Sequence, residues 1–140
     1  MRTFIRVDLI AGLCIAATTL YGCGGNGTIG SKCTLTTVIT VNPASATVDH
    51  AAAPPANQVQ FIANAQPTAP PGCAVPTWIA IVYGTWSNPD PIDIQISSAA
   101  DSTNGTAVCK TPTNGAVTLT GTFTELVQSP VTKTVQLTCN

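Results

Sequence analysis

The sequence is short of charge, with five Lys and Arg against six Asp and Glu in 140 residues. So few basic residues cannot form the positive stripe that holds a phosphate backbone, which argues against nucleic acid as a partner. The shortage does not indicate disorder, because apolar residues make up 44% of the chain and recur with regular spacing. The length suits a single domain.

Straight-chain helix formers are scarce as well. The chain has one Glu and three Lys, and Leu is rare beyond the first 20 residues. Thr, Val, Ala, Pro and Gly are abundant instead. Because β-branched residues suit strands and straight-chain residues suit helices, this composition predicts an all-β fold.

Groups that could carry out nucleophilic catalysis are few. His50 is the only His and follows Asp49, but it precedes an Ala- and Pro-rich loop and no nucleophile motif accompanies it. A solvated loop His is therefore the preferred interpretation.

Three carboxylates lie near one proline-punctuated turn: Asp90, Asp93 and Asp101. Paired carboxylates can hydrolyse glycosides and a cluster of them can bind calcium, so a small envelope hydrolase and a calcium site are the alternatives. Capping of the turn by Asp90 is the preferred interpretation, because Asp side chains commonly bond to nearby backbone in turns. We therefore expect no catalytic residue, no metal site and no cofactor.

The first residues have the organisation of an export signal. Arg2 and Arg6 precede an apolar run of twelve residues, Leu9–Leu20. A membrane-spanning helix needs about 20 apolar residues, whereas the core of a signal peptide needs about 7–15. Residues 1–22 are therefore predicted to be a signal peptide rather than a retained helix.

The signal ends in Leu20-Tyr21-Gly22-Cys23, which resembles the bacterial lipobox. The resemblance implies cleavage before Cys23 and attachment of several acyl chains to it, such as palmitate, which would make membrane attachment effectively permanent. The Gly-rich residues 23–32 are then a flexible tether, and Gly24 in place of Asp implies the outer membrane as destination. The alternative is an ordinary secretory signal that leaves Cys23 as a stray thiol.

Of the six Cys, Cys14 leaves with the signal and Cys23 takes the lipid. The exported domain, residues 33–140, keeps the other four: Cys33, Cys73, Cys109 and Cys139. An even number of Cys in an exported chain indicates disulfide bonds, and four Cys allow three pairings. No C-x-x-C spacing is present, which argues against a zinc or redox site.

Short strands separated by turn residues are predicted for the exported domain. Seven segments are rich in β-branched or alternating apolar residues and are bounded by turn-forming residues. They are Leu35–Val41 (continued weakly by Ala44–Val48), Gln58–Ala63, Thr77–Ser87, Ile92–Ser97 (its three Ile on one face), Thr106–Lys110, Ala116–Thr124 and Val131–Cys139. Residues 64–76 contain four Pro and are predicted to be a long loop, because Pro cannot occupy a central strand.

The third segment, Thr77–Ser87, is apolar on both faces over its first half. Four of its residues could form a surface patch: Trp78, Ile79, Ile81 and Tyr83. Either the Pro-rich loop covers these residues or they are exposed. An exposed apolar patch on a monomer tends to mark a contact surface, so the second interpretation makes them candidate ligand contacts.

Several short motifs together resemble a known family. They are I-T-V-N-P-A-S-A, N-Q-V-Q-F-I-A, T-W-S-N-P-D-P, N-G-T-A-V-C, G-A-V-T-L-T-G-T and V-Q-L-T-C, spread over residues 37–139. They look like bacterial immunoglobulin-like domains of the BIG_2 type. The resemblance implies an immunoglobulin-like β-sandwich of about seven antiparallel strands with Trp86 in its core, and it suggests adhesion.

The family fold also implies a disulfide pairing. Strands of such a sandwich alternate in direction, so the start of the first strand lies near the loop that holds Cys73. The ends of the fifth and last strands meet at the opposite end of the domain. The resemblance therefore implies the bonds Cys33–Cys73 and Cys109–Cys139.

These observations predict a non-enzymatic, membrane-anchored envelope lipoprotein with a binding or adhesion module. Its partners would be the membrane, through Cys23, and a protein or glycan ligand. An alternative is a carbohydrate-binding module that uses Trp78 and Tyr83 as an aromatic platform.

Overall fold

The computed structural model describes residues 33–140, which form an all-β unit. Within these residues the chain forms ten strands and no helix, so the described part contains no helix long and apolar enough to span a membrane. The predicted signal peptide (residues 1–22), Cys23 and the tether (residues 23–32) lie outside the described residues.

Ten strands are joined into three sheets. The strands are β1 (Thr36–Asn42), β2 (Ser45–Val48), β3 (Gln58–Gln60), β4 (Ile62–Thr68), β5 (Ala80–Val82), β6 (Thr85–Ser87), β7 (Ile94–Ile96), β8 (Thr106–Cys109), β9 (Val117–Phe123) and β10 (Val131–Cys139). The sheets have the strand orders β1-β4-β5, β2-β10-β9-β6 and β3-β8-β7. All pairs are antiparallel except β2 with β10, which run parallel.

The prediction of an all-β fold is confirmed, but the structure has more strands than the seven expected, because several predicted strands are divided. The first segment becomes β1 and β2 in different sheets, with Pro43 between them. The second is divided at Phe61, whose N–H donates to the Gly105 carbonyl at 3.0 Å rather than to a strand partner. The predictions for β8, β9 and β10 agree with the structure to within one residue at each end.

The prediction of one continuous strand over Thr77–Ser87 was wrong. β5 pairs with β4 in one sheet, β6 pairs with β9 in another, and the residues before β5 are not in a strand. The chain crosses between the sheets at Gly84, where a Cβ atom would lie 2.5 Å from the ring of Phe123. Only glycine lets the backbone approach the core this closely.

The prediction of a loop over residues 64–76 was wrong in its first part, because β4 continues to Thr68 and includes Pro67. Pro67 lies opposite Thr37 of β1, but it comes after Ala65, the last β4 residue that pairs with β5. One side of β4 is therefore unpaired at Pro67. A strand tolerates Pro where its N–H is not needed for a ladder bond.

The predicted alignment of Ile92 with the other two Ile residues of its segment was also wrong. Ile92 lies in the turn before β7 and is 80% exposed, whereas Ile94 is fully buried. Asp90 stabilises this turn: its carbonyl accepts the N–H of Ile94 at 3.1 Å, and its Oδ1 accepts the N–H of Asp93 at 3.3 Å. The predicted capping role of Asp90 is thus confirmed.

One hydrophobic core collects side chains from all three sheets. Trp86 lies in this core between Phe61 and Phe123, with ring centroids 6.1 Å and 5.8 Å away, and the second contact is edge-on. Such aromatic pairs contribute about 0.5–1.5 kcal/mol beyond the area that they bury. Trp86 is only 6% exposed, so its predicted core position is confirmed.

Two disulfide bonds link distant parts of the chain, and their pairing is the one that the family resemblance implies. We call Cys33–Cys73 the entry disulfide, because the described chain begins there, and Cys109–Cys139 the far disulfide. Cys33 is exposed, whereas both Cys of the far disulfide are buried. The entry disulfide joins residues 40 positions apart in the sequence, and the far disulfide joins residues 30 positions apart. In the chain-entropy model each would stabilise the fold by about 4 kcal/mol.

Candidate functional site

A cleft opens where the β3–β4 segment changes its strand partner. Residues Gln58–Gln60 pair with β8, whereas residues 63–65 pair with β5. Between the two pairings lies a cavity of about 230 Å³, which we call the junction cleft. It is lined by Gln60, Phe61, Ile62, Ala63, Ile81, Val82, Tyr83, Ser102 and Asn104.

Polar groups at one wall of the junction cleft are held in place by hydrogen bonds. The Gln60 Nε2 atom donates to the Ser102 carbonyl at 2.7 Å and to the Asn104 carbonyl at 3.1 Å. No lining residue carries a charge, and the chain has no Asp, Glu, Lys or Arg anywhere from Ala51 to Pro89. The cleft therefore suits an uncharged ligand that offers both apolar and hydrogen-bonding groups.

Asn104 joins the cleft to the core. Its side chain is 6% exposed, and its Oδ1 accepts the Gly84 N–H and the Trp86 Nε1–H, both at 3.1 Å. Its Nδ2 donates to the Gly84 carbonyl at 2.9 Å and to the Ala99 carbonyl at 2.8 Å. This amide therefore fixes the point where the chain crosses from β5 to β6.

The structure divides the four residues of the predicted surface patch. Ile81 is 62% exposed and Tyr83 is partly buried, and both line the junction cleft. Trp78 and Ile79 are 43% and 65% exposed, precede β5, and do not line the cleft. The interpretation that the Pro-rich loop covers the patch is wrong, because three of the four side chains are exposed.

Sequence reasoning missed the polar residues of the cleft. Gln60, Ser102 and Asn104 meet only because β3 pairs with β8, with Gln60 opposite Thr106. The Asn104-Gly105 dipeptide is a common tight-turn sequence, and Gly105 has a positive φ of 74°. Nothing in that local signal shows that the Asn side chain points into the protein.

The candidate catalytic pair Asp49 and His50 is not assembled for catalysis. The Asp49 Oδ1 accepts the Ala51 N–H at 2.9 Å, and the His50 Nδ1 is bonded to the Asn140 carbonyl. The Asp49 side chain thus caps the loop after β2, the His50 side chain bonds to the backbone just after β10, and the Asp does not orient the His ring.

The three carboxylates near the predicted turn also have separate local partners. Besides the Asp90 bonds described above, Asp93 accepts a hydrogen bond from the Thr111 hydroxyl. Asp101 accepts bonds from the Thr103 hydroxyl and amide at 2.6 Å and 2.7 Å, and these bonds lower its pKa. Within residues 33–140 no three His, Cys, Asp or Glu side chains gather into a metal site, so the calcium alternative gains no support.

No family model, curated protein or solved structure matches this chain.

Proposed function

We propose that this chain is a non-enzymatic, membrane-anchored envelope lipoprotein whose immunoglobulin-like domain binds a ligand at the junction cleft. The strand pairing supports the fold. If β3 and β4 are two halves of one strand, then β1, β3/β4, β8 and β7 follow the A-B-E-D order of that fold. In the same way, β6, β9 and β10 follow its C-F-G order, and the buried Trp86 lies on the C strand.

The sequence before the domain supports export and anchoring. An apolar run, Leu9–Leu20, leads to the lipobox-like motif that ends at Cys23. Two disulfide bonds in the domain fit an oxidising compartment outside the cytoplasm. The residue after Cys23 is Gly24, which favours the outer membrane by resemblance to other lipoproteins.

One observation carries the binding function: an exposed, uncharged edge strand borders a cleft that has ordered polar groups. In the described part of the chain, β5 pairs only with β4, so the backbone on its other side is open. Ile81 and Tyr83 place apolar surface beside it, and Gln60 and Ser102 supply polar groups. An extended, uncharged protein segment can use all of these features together, through backbone hydrogen bonds and side-chain contacts.

Site-specific crosslinking in the native cells tests this function. A photoreactive amino acid at position 81 is expected to give a discrete adduct, and substitution of Tyr83 by Ala in the same chain is expected to weaken it. The matched control is the same amino acid at position 92, because Ile92 is even more exposed and does not line the cleft. Equal adducts at both positions, or none at either, would rule out the cleft as the binding site.

The anchor is tested separately. Substitution of Cys23 by Ser is expected to remove the acyl mass and to release the protein from the membrane fraction. Retention in the membrane without acylation would contradict the lipoprotein assignment while leaving the cleft untouched.

Carbohydrate binding is the second candidate, and the position of Tyr83 favours it. Tyr83 lines the same cleft as Gln60 and Ser102, so an aromatic residue and hydrogen-bonding residues border one cavity, as glycan sites require. Trp78, the other aromatic residue of the earlier hypothesis, does not line the cleft. A glycan-array signal that is lost on Tyr83→Ala and kept on Trp78→Ala would support this candidate, and an unchanged signal in both variants would remove it.

A further inference from the structure

The described chain begins at one end of the domain, which we call the entry pole. The entry pole comprises the entry disulfide, residues 34–35, and the two loops formed by residues 69–79 and residues 124–130. Thr36 pairs with Thr68 at this end, and the loop after Thr68 holds Cys73. A groove of about 510 Å³ joins residues 35–37 to residues 126–129, which places the loop between β9 and β10 at the same end.

Exposed large apolar side chains are concentrated at the entry pole. Nine such residues occur in the described chain, and five of them lie here: Leu35, Val75, Trp78, Ile79 and Leu126, between 41% and 65% exposed. Trp78 and Ile79 belong to this pole because Ala80 pairs with Ala65, so the residues before Ala80 run back toward Thr68. None of the five has a partner that explains its exposure in an isolated domain.

Charge is concentrated at the opposite end, the far pole. β10 runs across the domain from the entry pole to Cys139, roughly 26 Å for a strand of its length. Around Cys139 and the far disulfide lie four of the seven charged residues of the described chain: Asp49, Asp90, Asp93 and Lys110. Among the described residues of the entry pole, Glu125 alone is charged, and it is exposed.

We propose that the entry pole rests on the lipid bilayer, with Trp78, Ile79 and Leu126 in the membrane interface. This inference depends on the proposed lipidation of Cys23. Nine residues lie between Cys23 and Cys33, so ten Cα–Cα steps join them. A fully extended chain of that length spans at most about 35 Å, so the anchor keeps the entry pole near the membrane. Trp and aliphatic side chains are favoured at the bilayer interface, and the charged far pole remains in water.

A second copy of the chain is the competing occupant of this surface. The anchor favours lipid, because it holds every copy beside the bilayer whatever the protein concentration. The apolar residues of the entry pole also lie on loops and chain ends rather than on one flat strand face, and irregular loops suit insertion among headgroups better than sheet-to-sheet packing.

Fluorescence quenching by brominated lipid tests the proposal. The full lipoprotein, purified from its own membranes, is reconstituted into phosphatidylcholine vesicles with or without bromine on the acyl chains. Trp78 is expected to be quenched in brominated vesicles, whereas Trp86 in the core is not. Trp78→Phe should therefore abolish the difference between the two vesicle types. Leu126→Ser should reduce it at least twofold, and the matched control Ile92→Ser at the far pole should leave it unchanged.

The outcomes separate this inference from the function on which it rests. Intact mass spectrometry of the same sample reports whether Cys23 is acylated. An acylated protein whose fluorescence is identical in both vesicle types overturns the bilayer contact and leaves the lipoprotein assignment standing. Crosslinked dimers through Trp78 or Ile79 would assign this pole to a second copy and also overturn it. A protein without acyl chains removes the anchor, and the inference is lost with it.

Discussion

Replacement of Asn104 by Ala is expected to destabilise the domain strongly. The Asn104 side chain is almost fully buried and makes four hydrogen bonds, two to the backbone of Gly84, one to the Trp86 indole and one to the Ala99 carbonyl. The two bonds to Gly84 and the bond to the Trp86 indole are buried. Ala would leave two buried donors and one buried carbonyl without partners at the point where the chain crosses between sheets.

The size of the effect follows from these three groups. Leaving a buried polar group unsatisfied costs about 1–3 kcal/mol, and the low end applies where water can occupy the space of the lost amide. Three such groups give a loss of about 3–4 kcal/mol. Domains of this size have a net stability of about 5–15 kcal/mol, so the loss is a large fraction of the total. It corresponds to a fall in Tm of roughly 15–25 °C.

Urea and thermal unfolding of the oxidised protein, followed by Trp fluorescence and circular dichroism, measure this effect. The matched control is Asn114→Ala, because Asn114 also precedes a Gly with positive φ but is exposed. The control should change the free energy of unfolding by less than about 0.5 kcal/mol. If Asn104→Ala unfolds within about 1 kcal/mol of the wild type, the argument that this amide holds the crossover in place is refuted.

Three further predictions concern packing, titration and the disulfides. Gly121→Ala is expected to lower the free energy of unfolding by about 1–3 kcal/mol in urea, because the new Cβ would lie 2.8 Å from the Phe123 ring; an unchanged midpoint would contradict this. Thr103→Val is expected to raise the pKa of Asp101 in an NMR titration, because the Thr103 hydroxyl is the chief cause that holds this pKa below the ordinary value for Asp. Because the Asp101 pKa is lower in the folded than in the unfolded state, the ionised carboxylate stabilises the fold above the unfolded pKa. This stabilisation disappears as the pH falls through the folded pKa. If the Asp101 pKa does not change in Thr103→Val, the Thr103 hydroxyl is not the cause of the lowered pKa. As the dithiothreitol concentration rises, the entry disulfide, with Cys33 exposed, should be reduced before the buried far disulfide. Alkylation of the freed thiols followed by mass spectrometry measures the order of reduction. Reduction of the far disulfide first would show that burial does not determine this order.

The strands that sequence patterns located well are those whose pairing stays constant along their length. Val131–Cys139 is rich in β-branched residues with Val131, Val135 and Leu137 on one face, pairs with β9 along most of its length, and has the bounds that were predicted. The divided strands failed for the opposite reason. Phe61 continues a regular alternation, yet its amide bonds to Gly105, which is 44 residues away in sequence. A change of partner of this kind depends on tertiary register, which no local pattern encodes.

The candidate site could be predicted only in part. The patch residues were recognised because apolar side chains occupied both faces of one segment, and three of them are indeed exposed. Their division between the cleft and the entry pole depends on where β5 begins, at Ala80. The opposite wall of the cleft depends on the pairing of β3 with β8, which brings Gln60 to Ser102 and Asn104.

The same edge strand that opens the cleft also raises the question of self-association. Uncharged apolar edge strands are a risk because they can pair with other chains, and charged side chains commonly prevent this. From Ala51 to Pro89 the chain has no charged residue to serve that purpose. The structure limits the risk by length instead: β5 has three residues, ends just before the crossover at Gly84, and follows the irregular residues 69–79. An edge this short offers too few backbone bonds for two copies to pair stably, so a stable partner must also contact the adjoining cleft, and this requirement favours a specific ligand over aggregation.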